Sequence, residues 1–434
     1  MSEAHAVAMP DHGSGDQIGR LYTDRVEVQR ELIVTCDPAT HTMGDAVHAY
    51  VTQRVAHTLL SRAYADRTPI EVHGVYPHHL DRVVPGAVRL PADRLASPGK
   101  FYNTVRPLYY RAPREDGRGT RLIVAVPPGH DYVMHYASLV GHHTTVHGPG
   151  RDALHRVVRY PVAEHSLAEW TGLAHFLGAG DRVLIGYAQQ LVPLLVATGA
   201  RIVHESANAY YGAVRLRFPG DEQVCALGVR FSFWGCMSAR LAEACRRLGA
   251  REIIYAGKLG ALTDPGDLYR RLFVPSGYVH FESPPRLLDP AQCPPNPLLE
   301  RYPELDSGVH MSVGTVLEED VQQRSHARRF AVTSIDNEIS QIAAALANTT
   351  DGPCTGFSAI HFATDYLRDR NEPGTRDVFN LTNHRCRNAL ERRHAMLRMV
   401  AQRLAGHYSN RPAPTRTGLD WPGSKPSFTQ DGTA

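Results

Sequence analysis

Between residues 179 and 406, short apolar runs alternate with longer segments in which apolar residues recur every three or four positions. The short runs predict buried strands, and the longer segments predict amphipathic helices. Residues 224–231 and 251–256 are predicted strands, and residues 237–248 between them form a predicted helix that Gly249 ends. This alternation predicts an α/β domain with a parallel or mixed sheet. The further predicted strands are 182–185, 201–205, 212–218, 269–275 and 357–364, and the further predicted helices are 189–197, 334–347 and 385–404.

A less regular region, residues 21–178, precedes this α/β domain, which we place at 179–408. We expect a smaller α+β region there, which could cover a site, mediate oligomerisation or sense an effector. The ends of the chain, residues 1–20 and 409–434, are rich in small and polar residues and are predicted to be disordered. The elements predicted for the first region are strands at 31–35 and 121–126, a helical pattern at 43–63 and a connecting helix at 161–177.

Composition narrows the class of protein. The 434 residues are 43% hydrophobic and 21% charged, as in soluble globular proteins, and a net charge of +3 gives no argument for nucleic acid or a membrane surface. The sequence has no apolar run of about 18 residues, and its first residues lack the apolar segment of a signal peptide. The seven cysteines form no Cys-x-x-Cys pair. We therefore expect reduced thiols and a cytoplasmic location, with no nucleic-acid or membrane partner.

Small residues follow the predicted strand at 251–256. Gly257-Lys258-Leu259-Gly260 predicts a turn whose backbone a ligand can approach closely. Lys258 is one of three lysines in the chain, and its ammonium offers a point charge to an anion. Open α/β sheets bind ligands at the carboxyl ends of their strands, which is where this turn lies. Taken alone, the four residues are more typical of an ordinary tight turn.

Acidic residues occupy two further element boundaries. Asp336, Asn337 and Glu338 lie in a segment that leads into a helix, where carboxylates usually cap the helix and interact with its dipole. Asp365 follows the predicted buried strand at 357–364. Partial desolvation there would raise its pKa toward that of a general acid. A cap for the following segment is the alternative interpretation of Asp365.

The order and spacing of these three segments resemble the nucleoside phosphorylase and nucleosidase superfamily. Residues 253–262 resemble the family's strand-and-glycine segment beside phosphate and base, and residues 335–338 resemble its acidic-Met-Glu signature. Thr364-Asp365 is similar to its Ser-Asp pair. The resemblance covers about 180–405 and implies a three-layer domain with a central mixed sheet. Segments 183–186, 266–275 and 310–320 are also similar to family segments.

The resemblance implies cleavage of the N-glycosidic bond of a purine-type nucleoside or nucleotide. It implies that Asp365 protonates the leaving base and that Glu338 binds the ribose hydroxyls. Such cleavage passes through an oxocarbenium-like transition state, for which an acid beside the leaving group is suited. We also expect a homo-oligomer that uses no organic cofactor, with inorganic phosphate as an alternative to water. The other substrate-binding candidates are Asn337, Asp336, Lys258, Gly257, Arg230, Trp234 and Phe233, the last two as aromatic neighbours of the base.

The sequence departs from the family where phosphorolytic members bind phosphate. Tyr255 stands in place of their Arg, Lys258 in place of their Ser or Thr, and residues 186–189 replace their Gly-Asp-Pro loop. Lys258 and Arg230 could rebuild the phosphate site, water could replace phosphate, or Lys258 could bind a phosphate already on the substrate. A non-catalytic nucleoside-binding or regulatory protein is the alternative function. A dehydrogenase is discounted because no Gly-x-Gly-x-x-Gly follows a strand.

Histidines are frequent near residues 78–79 and 142–147, but no helix-spaced His-Glu-x-x-His occurs. A zinc site needs converging ligands with hydrogen-bonded support, which this spacing does not supply. The sequence therefore predicts no metal site.

Overall fold

The computed structural model describes residues 15–34, 36–91, 107–148, 153–280, 284–347, 354–367 and 387–409. The ends predicted to be disordered lie mostly outside these ranges, but helix α1 (Gly15–Leu21) falls within the predicted N-terminal tail and buries Leu21. Among the described helices, none combines the length and apolar character that crossing a bilayer requires.

The N-terminal region is a mixed sheet with helices on both faces. Its helices after α1 are α2 (Ala46–Thr52), α3 (His57–Ala65), α4 (Leu80–Val83), α5 (His130–His147), α6 (Pro161–His165) and α7 (Leu167–Trp170). Its strands are β1 (Val26–Glu27), β2 (Ile70–Gly74), β3 (Val88–Arg89), β4 (Leu108–Pro113), β5 (Thr120–Val126) and β6 (Leu154–Arg159). The strand order is β1-β6-β2-β5-β4-β3, with β5 and β6 parallel to β2 and the outer pairs antiparallel.

The two faces of this sheet pack against different partners. One face buries Val72 and Val124 in a core with α2, α3 and α5. The other face buries Ile123 and Ala125 in a core that also contains residues of the C-terminal domain. Because the two regions share this core, the N-terminal region is fixed against the C-terminal domain.

The C-terminal domain is built on an eleven-stranded sheet. Its helices are α8 (Ala188–Ala197), α9 (Cys236–Arg247), α10 (Pro297–Arg301), α11 (Val321–Arg329), α12 (Ile339–Leu346) and α13 (Arg387–Tyr408). Its strands are β7 (Arg182–Gly186), β8 (Arg201–Ala207), β9 (Tyr211–Arg217), β10 (Gln223–Val229), β11 (Glu252–Ala261), β12 (Leu272–Phe273), β13 (Gly277–His280), β14 (Arg286–Leu287), β15 (Val309–Ser312), β16 (Val332–Asp336) and β17 (Gly356–Tyr366). The order is β14-β13-β15-β16-β11-β7-β10-β9-β8, and β17 pairs with β11 and β12.

Helices cover both faces of the central part of this sheet, which gives three layers. Successive residues of β7 show this, because side chains alternate between the faces of a strand. Val183 and Ile185 belong to the core under α9 and α12, whereas Leu184 belongs to the core under α8 and α13. β7, β10, β11 and β17 run parallel, while β16 runs antiparallel to β11. The prediction of an α/β chain with a three-layer, mixed-sheet domain is confirmed.

Two predicted boundaries beside the candidate residues are wrong. Gly257–Gly260 is not a turn, because β11 continues to Ala261 and pairs with β17 on one side and with β16 at its end. The predicted helix at 334–347 starts later, because its first residues pair with β15 as the end of β16. Both errors have one cause: strand pairing with distant segments overrides local propensity.

Other differences lie away from the candidate residues. The predicted strand at 31–35 contains a 3₁₀ turn instead, and only two residues of 269–275 form a strand. The helical patterns at 43–63 and 161–177 are each divided into shorter helices. Leu390, predicted to face inward from α13, is 39% exposed.

Candidate functional site

A cavity of about 270 Å³ lies where the carboxyl ends of β7, β10, β11 and β17 meet. Its volume is close to the lower end of the roughly 300–1,000 Å³ typical of small-molecule pockets. Ligands of open α/β sheets bind at this edge of the sheet. The residues predicted from sequence that line the cavity are Gly257, Lys258, Phe233, Trp234, Asp336, Asn337, Glu338 and Asp365. The structure therefore brings together residues up to 132 positions apart, from Phe233 to Asp365.

Arg230 is the exception among the predicted site residues. It is not part of the cavity lining, and its guanidinium donates a hydrogen bond to the carbonyl of Asn208 at 2.7 Å. Arg230 therefore does not line this cavity beside Lys258, as a phosphate site rebuilt from the two residues would require. Arg230 follows β10, but its side chain hydrogen-bonds to the adjacent loop at Asn208.

The N-terminal region closes the cavity. Tyr50 of α2, Arg54 just beyond it, and Tyr132, His135 and Tyr136 of α5 all line it. The Arg54 guanidinium carbon lies 3.3 Å from the centre of the Tyr50 ring, so the cation packs on an aromatic face. Of the three roles left open for this region, covering a site is the one its position supports.

Helix α5 is held against the C-terminal domain at its first turns. The Asp131 carboxylate accepts a hydrogen bond from the Cys236 backbone N–H at 2.7 Å, so it caps α9 across the interface. Gly235 precedes Cys236 with φ of 53°, and a Cβ there would collide with the Asp131 carboxylate. His135 Nδ1 lies 2.7 Å from the Thr315 hydroxyl, and the His135 ring stacks on Trp234 at 4.7 Å. These contacts fix the helix that closes the cavity.

A β-bulge presents two consecutive residues to the cavity. The pairing of β11 with β17 shifts so that Leu259 faces Ala363 and Gly260 faces Asp365, which leaves Thr364 as the extra residue. Bulges re-aim side chains, and here both Thr364 and Asp365 line the cavity. The Thr364 hydroxyl donates to Asp365 Oδ1 at 2.8 Å. Burial raises the pKa of Asp365, and the nearby Lys258 ammonium and this hydrogen bond only partly oppose the rise.

Asp336 and Glu338 lie close together but have different hydrogen-bond partners. The Asp336 carboxylate accepts hydrogen bonds from His310 at 2.8 Å, from the Ser312 hydroxyl at 2.6 Å and from the backbone N–H of Ile339. Burial opposes ionisation of Asp336, but His310 holds its pKa below the ordinary value. Asp336 is therefore a structural cap of α12, as its alternative interpretation proposed.

Glu338 has fewer partners and faces the cavity. The Tyr255 hydroxyl donates to Glu338 Oε2 at 3.3 Å. Burial and the Asp336 charge raise the pKa of Glu338 well above its ordinary value. A carboxyl group in this state can both accept and donate hydrogen bonds, which suits a pair of hydroxyl groups.

Glu319 is a third cavity carboxyl, and the sequence analysis did not single it out. It is 5% exposed, and burial together with the Asp365 charge raises its pKa well above the ordinary value. The Lys258 ammonium lowers the pKa values of Glu319, Glu338 and Asp365 against the larger effect of burial, and burial lowers the pKa of Lys258 itself.

The acidic run at 318–320 was the available signal for Glu319. Nothing in the sequence indicated Arg54 or the α5 residues, because only the packing of the two regions brings them to the cavity.

Gly257 leaves room for a buried imidazole on the neighbouring strand. It pairs with His361, and a Cβ at this position would collide with the His361 ring, which is fully buried and lies 4.5 Å from the Tyr255 ring. Because His361 has no space to withdraw, we expect Gly257→Ala to lower the free energy of unfolding by about 1–3 kcal/mol. Urea denaturation measures this. Gly178→Ala, where an added Cβ meets nothing within 4 Å, is the matched control and should change stability little. Equal stabilities of the two variants would contradict this packing.

No protein-family model matches the chain. A curated relative from Cordyceps militaris, named oxidoreductase cns1, is 30% identical over 380 residues. The match covers 82% of this chain and 47% of that protein, so the chain spans about half the length of the curated relative it matches.

Solved structures align with about half of the chain. They include methylthioadenosine/S-adenosylhomocysteine nucleosidase from Campylobacter jejuni (13% identity, TM-score 0.39, 54% of this chain and 100% of that chain). Uridine phosphorylase from Vibrio fischeri aligns at 13% identity with a TM-score of 0.40, over 54% of this chain and 93% of that chain. Purine nucleoside phosphorylase from Toxoplasma gondii aligns at 14% identity with a TM-score of 0.38, over 55% and 94%. Scores below 0.5 establish neither a shared fold nor a shared function.

Proposed function

We propose that this chain cleaves the N-glycosidic bond of a purine-type nucleoside or nucleotide, with water as the nucleophile. One observation carries the proposal. Asp365, Glu338 and Lys258 come from three separate segments and line one cavity at the carboxyl ends of parallel strands. The chemistry that the sequence resemblance implies needs those groups in one place.

Asp365 is the proposed general acid. As the bond between the sugar C1′ and the base nitrogen breaks, the electron pair leaves with the base, and the proton of Asp365 neutralises it. An acid must hold its proton at the working pH, and burial raises the pKa of Asp365 in the required direction. Thr364 orients the carboxyl through its hydrogen bond to Oδ1.

Glu338 and Asn337 are the proposed sugar-binding residues, with Phe233 and Trp234 as an aromatic wall for the base. Asn337 uses its amide N–H to donate to the Val313 carbonyl at 2.8 Å, which fixes its orientation. Hydroxyl contacts accelerate cleavage only if they strengthen as the sugar flattens toward the oxocarbenium ion.

Glu319 is a third carboxyl group at the proposed site. Its carboxyl lies with Asp365 and Glu338 around Lys258. Tyr255 stands where phosphorolytic members of the family that the sequence resembles have Arg, so that phosphate ligand is missing and water is the proposed nucleophile. The balance is closed: Asp365 gives its proton to the base, water supplies the hydroxyl of the free sugar, and the Asp365 carboxylate left behind takes the proton that the water loses. No organic cofactor is needed in this scheme.

Products distinguish this proposal from its alternatives. The full chain would be incubated with a panel of purine and pyrimidine nucleosides and nucleotides, with and without inorganic phosphate, and the sugar product identified by chromatography. We expect a free sugar or sugar 5-phosphate without added phosphate. A sugar 1-phosphate formed only with phosphate would indicate a phosphorylase. No sugar from any substrate would favour the non-catalytic binding protein.

Replacement of Glu338 tests the sugar contact separately. We expect Glu338→Leu to lower kcat/KM for a ribonucleoside by about 10–100-fold, because a buried hydroxyl group left without its partner costs roughly 1–3 kcal/mol. The 2′-deoxy substrate, which lacks one of the hydroxyls, should lose less. An equal loss for both substrates would remove Glu338 from 2′-hydroxyl binding.

A further inference from the structure

Three histidines converge on the outer surface of the N-terminal region. His57 is the first residue of α3, and His143 and His147 lie one turn apart near the end of α5. One ring nitrogen from each lies within 4.8 Å of the others, and among the described residues this is the group of histidine, cysteine and acidic side chains that meets this condition. The sequence did not predict it because His57 is 86 residues from His143.

The two ring nitrogens of His143 have different neighbours, and one of them faces the other two histidines. Its Nδ1 lies 2.7 Å from the Tyr64 hydroxyl, and its Nε2 lies 2.8 Å from His57 Nδ1. If Nδ1–H donates to Tyr64, the lone pair of Nε2 points toward His57 and His147.

We propose that His57, His143 and His147 bind a divalent transition-metal ion of the zinc class. Imidazole nitrogens suit Zn²⁺, and three of them with a water complete a tetrahedral site. Tyr64 supplies the hydrogen-bonded support that metal-bound histidines usually have on their second nitrogen. All three ligands come from two helices, so the ion would join α3 to α5.

Binding needs an adjustment of the two exposed histidines, His57 and His147, because the three ligand nitrogens lie within 4.8 Å of one another. Zn–N bonds of roughly 2.0–2.1 Å in a tetrahedron place ligand nitrogens about 3.3 Å apart, whereas His57 Nδ1 and His143 Nε2 are 2.8 Å apart. His57 is exposed at the start of its helix and can withdraw by the difference. It must also move its ring proton to Nε2, which is a tautomeric change and adds or removes no charge.

The position of the ion indicates stabilisation rather than chemistry. His143 lies eight residues beyond His135 on α5, which at 1.5 Å per residue is about 12 Å from the cavity end of the helix. Because α5 closes the cavity, an ion that joins it to α3 would stabilise the closed N-terminal region by mass action. The site is independent of the proposed cleavage reaction.

The test uses the full chain without an affinity tag, titrated with Zn²⁺ by calorimetry and with Co²⁺ by its visible absorption. We expect one equivalent to bind with a dissociation constant tighter than about 100 µM. The variants His57→Ala and His147→Ala, both at exposed positions, should each weaken binding at least about tenfold. His48→Ala is the matched control, because His48 also hydrogen-bonds to a histidine of α5, His142, at 3.0 Å; it should leave the affinity unchanged.

Tyr64→Phe keeps the ring and removes the hydroxyl, so it tests the support of His143 without removing a ligand. We expect it to weaken Zn²⁺ binding by about 10–100-fold. Binding weaker than the stated limit, or binding that His57→Ala and His147→Ala leave intact, would overturn the proposal. So would an equal effect of His48→Ala, which would show that the many surface histidines bind the ion without selection.

Discussion

Asp365→Asn is expected to lower kcat for base release by about 10²–10⁴-fold, the usual contribution of a positioned general acid. The amide keeps the shape of the side chain but has no proton to give to the leaving base. Steady-state assays of base release measure the effect. Asp264→Asn, which changes an exposed carboxylate in the loop after β11, is the matched control and should leave kcat unchanged. Unchanged turnover in Asp365→Asn would remove this residue from the reaction.

The same variant has a predictable effect on stability, which separates loss of chemistry from loss of fold. The folded-state pKa of Asp365 is raised above its unfolded value. The stability linked to this group is therefore fully present below the unfolded pKa and is lost as the pH rises through the folded pKa. Above that folded pKa the ionised, buried carboxylate costs stability, so Asp365→Asn should there be at least as stable in urea denaturation as the unsubstituted chain. A less stable variant would mean that Lys258 and the Thr364 hydrogen bond stabilise the Asp365 carboxylate more than burial destabilises it.

Lys258→Met is expected to lower kcat/KM for a nucleotide by about 10–100-fold, because a charge-assisted hydrogen bond to phosphate is worth roughly 1.5–3 kcal/mol. The corresponding nucleoside should lose less. Lys258 and Arg54 both line the cavity and are available to a substrate phosphate. Paired assays with a nucleotide and its nucleoside measure the difference. Equal losses would contradict phosphate binding by Lys258.

Lys258→Met should also shift the high-pH side of the pH profile of kcat/KM. Lys258 lowers the pKa of Asp365 against the larger effect of burial. Without the ammonium, the pKa of Asp365 rises further, and the acid keeps its proton to higher pH. The fall of kcat/KM at high pH should therefore shift upward in Lys258→Met. A downward shift would show that the two groups do not interact in this way.

Sequence patterns predicted the layers of the C-terminal domain because its strands and helices have clear apolar periods. Asp365, Glu338 and Lys258 were found because they lie at or near the ends of buried strands. The pattern failed where distant pairing decides the structure: β11 continues through Gly257–Gly260, and the bulge that turns both Thr364 and Asp365 to the cavity exists only against β11.

The parts of the site that come from the N-terminal region could not be predicted. Tyr50, Arg54 and His135 have no motif, and their place at the cavity depends on how one face of the N-terminal sheet packs on the C-terminal domain. Arg230 shows the opposite error. Its position after β10 suggested a phosphate ligand, but its guanidinium is used by a neighbouring carbonyl.

Release of free base is the most direct measure of the central claim. Purified full chain would be incubated with adenosine and with AMP in phosphate-free buffer, and free adenine quantified by chromatography beside an equal amount of Asp365→Asn. The account predicts adenine from at least one substrate with the unsubstituted chain and a release at least about a hundredfold slower with the variant. Absence of any free base, or equal release by the two proteins, would contradict it.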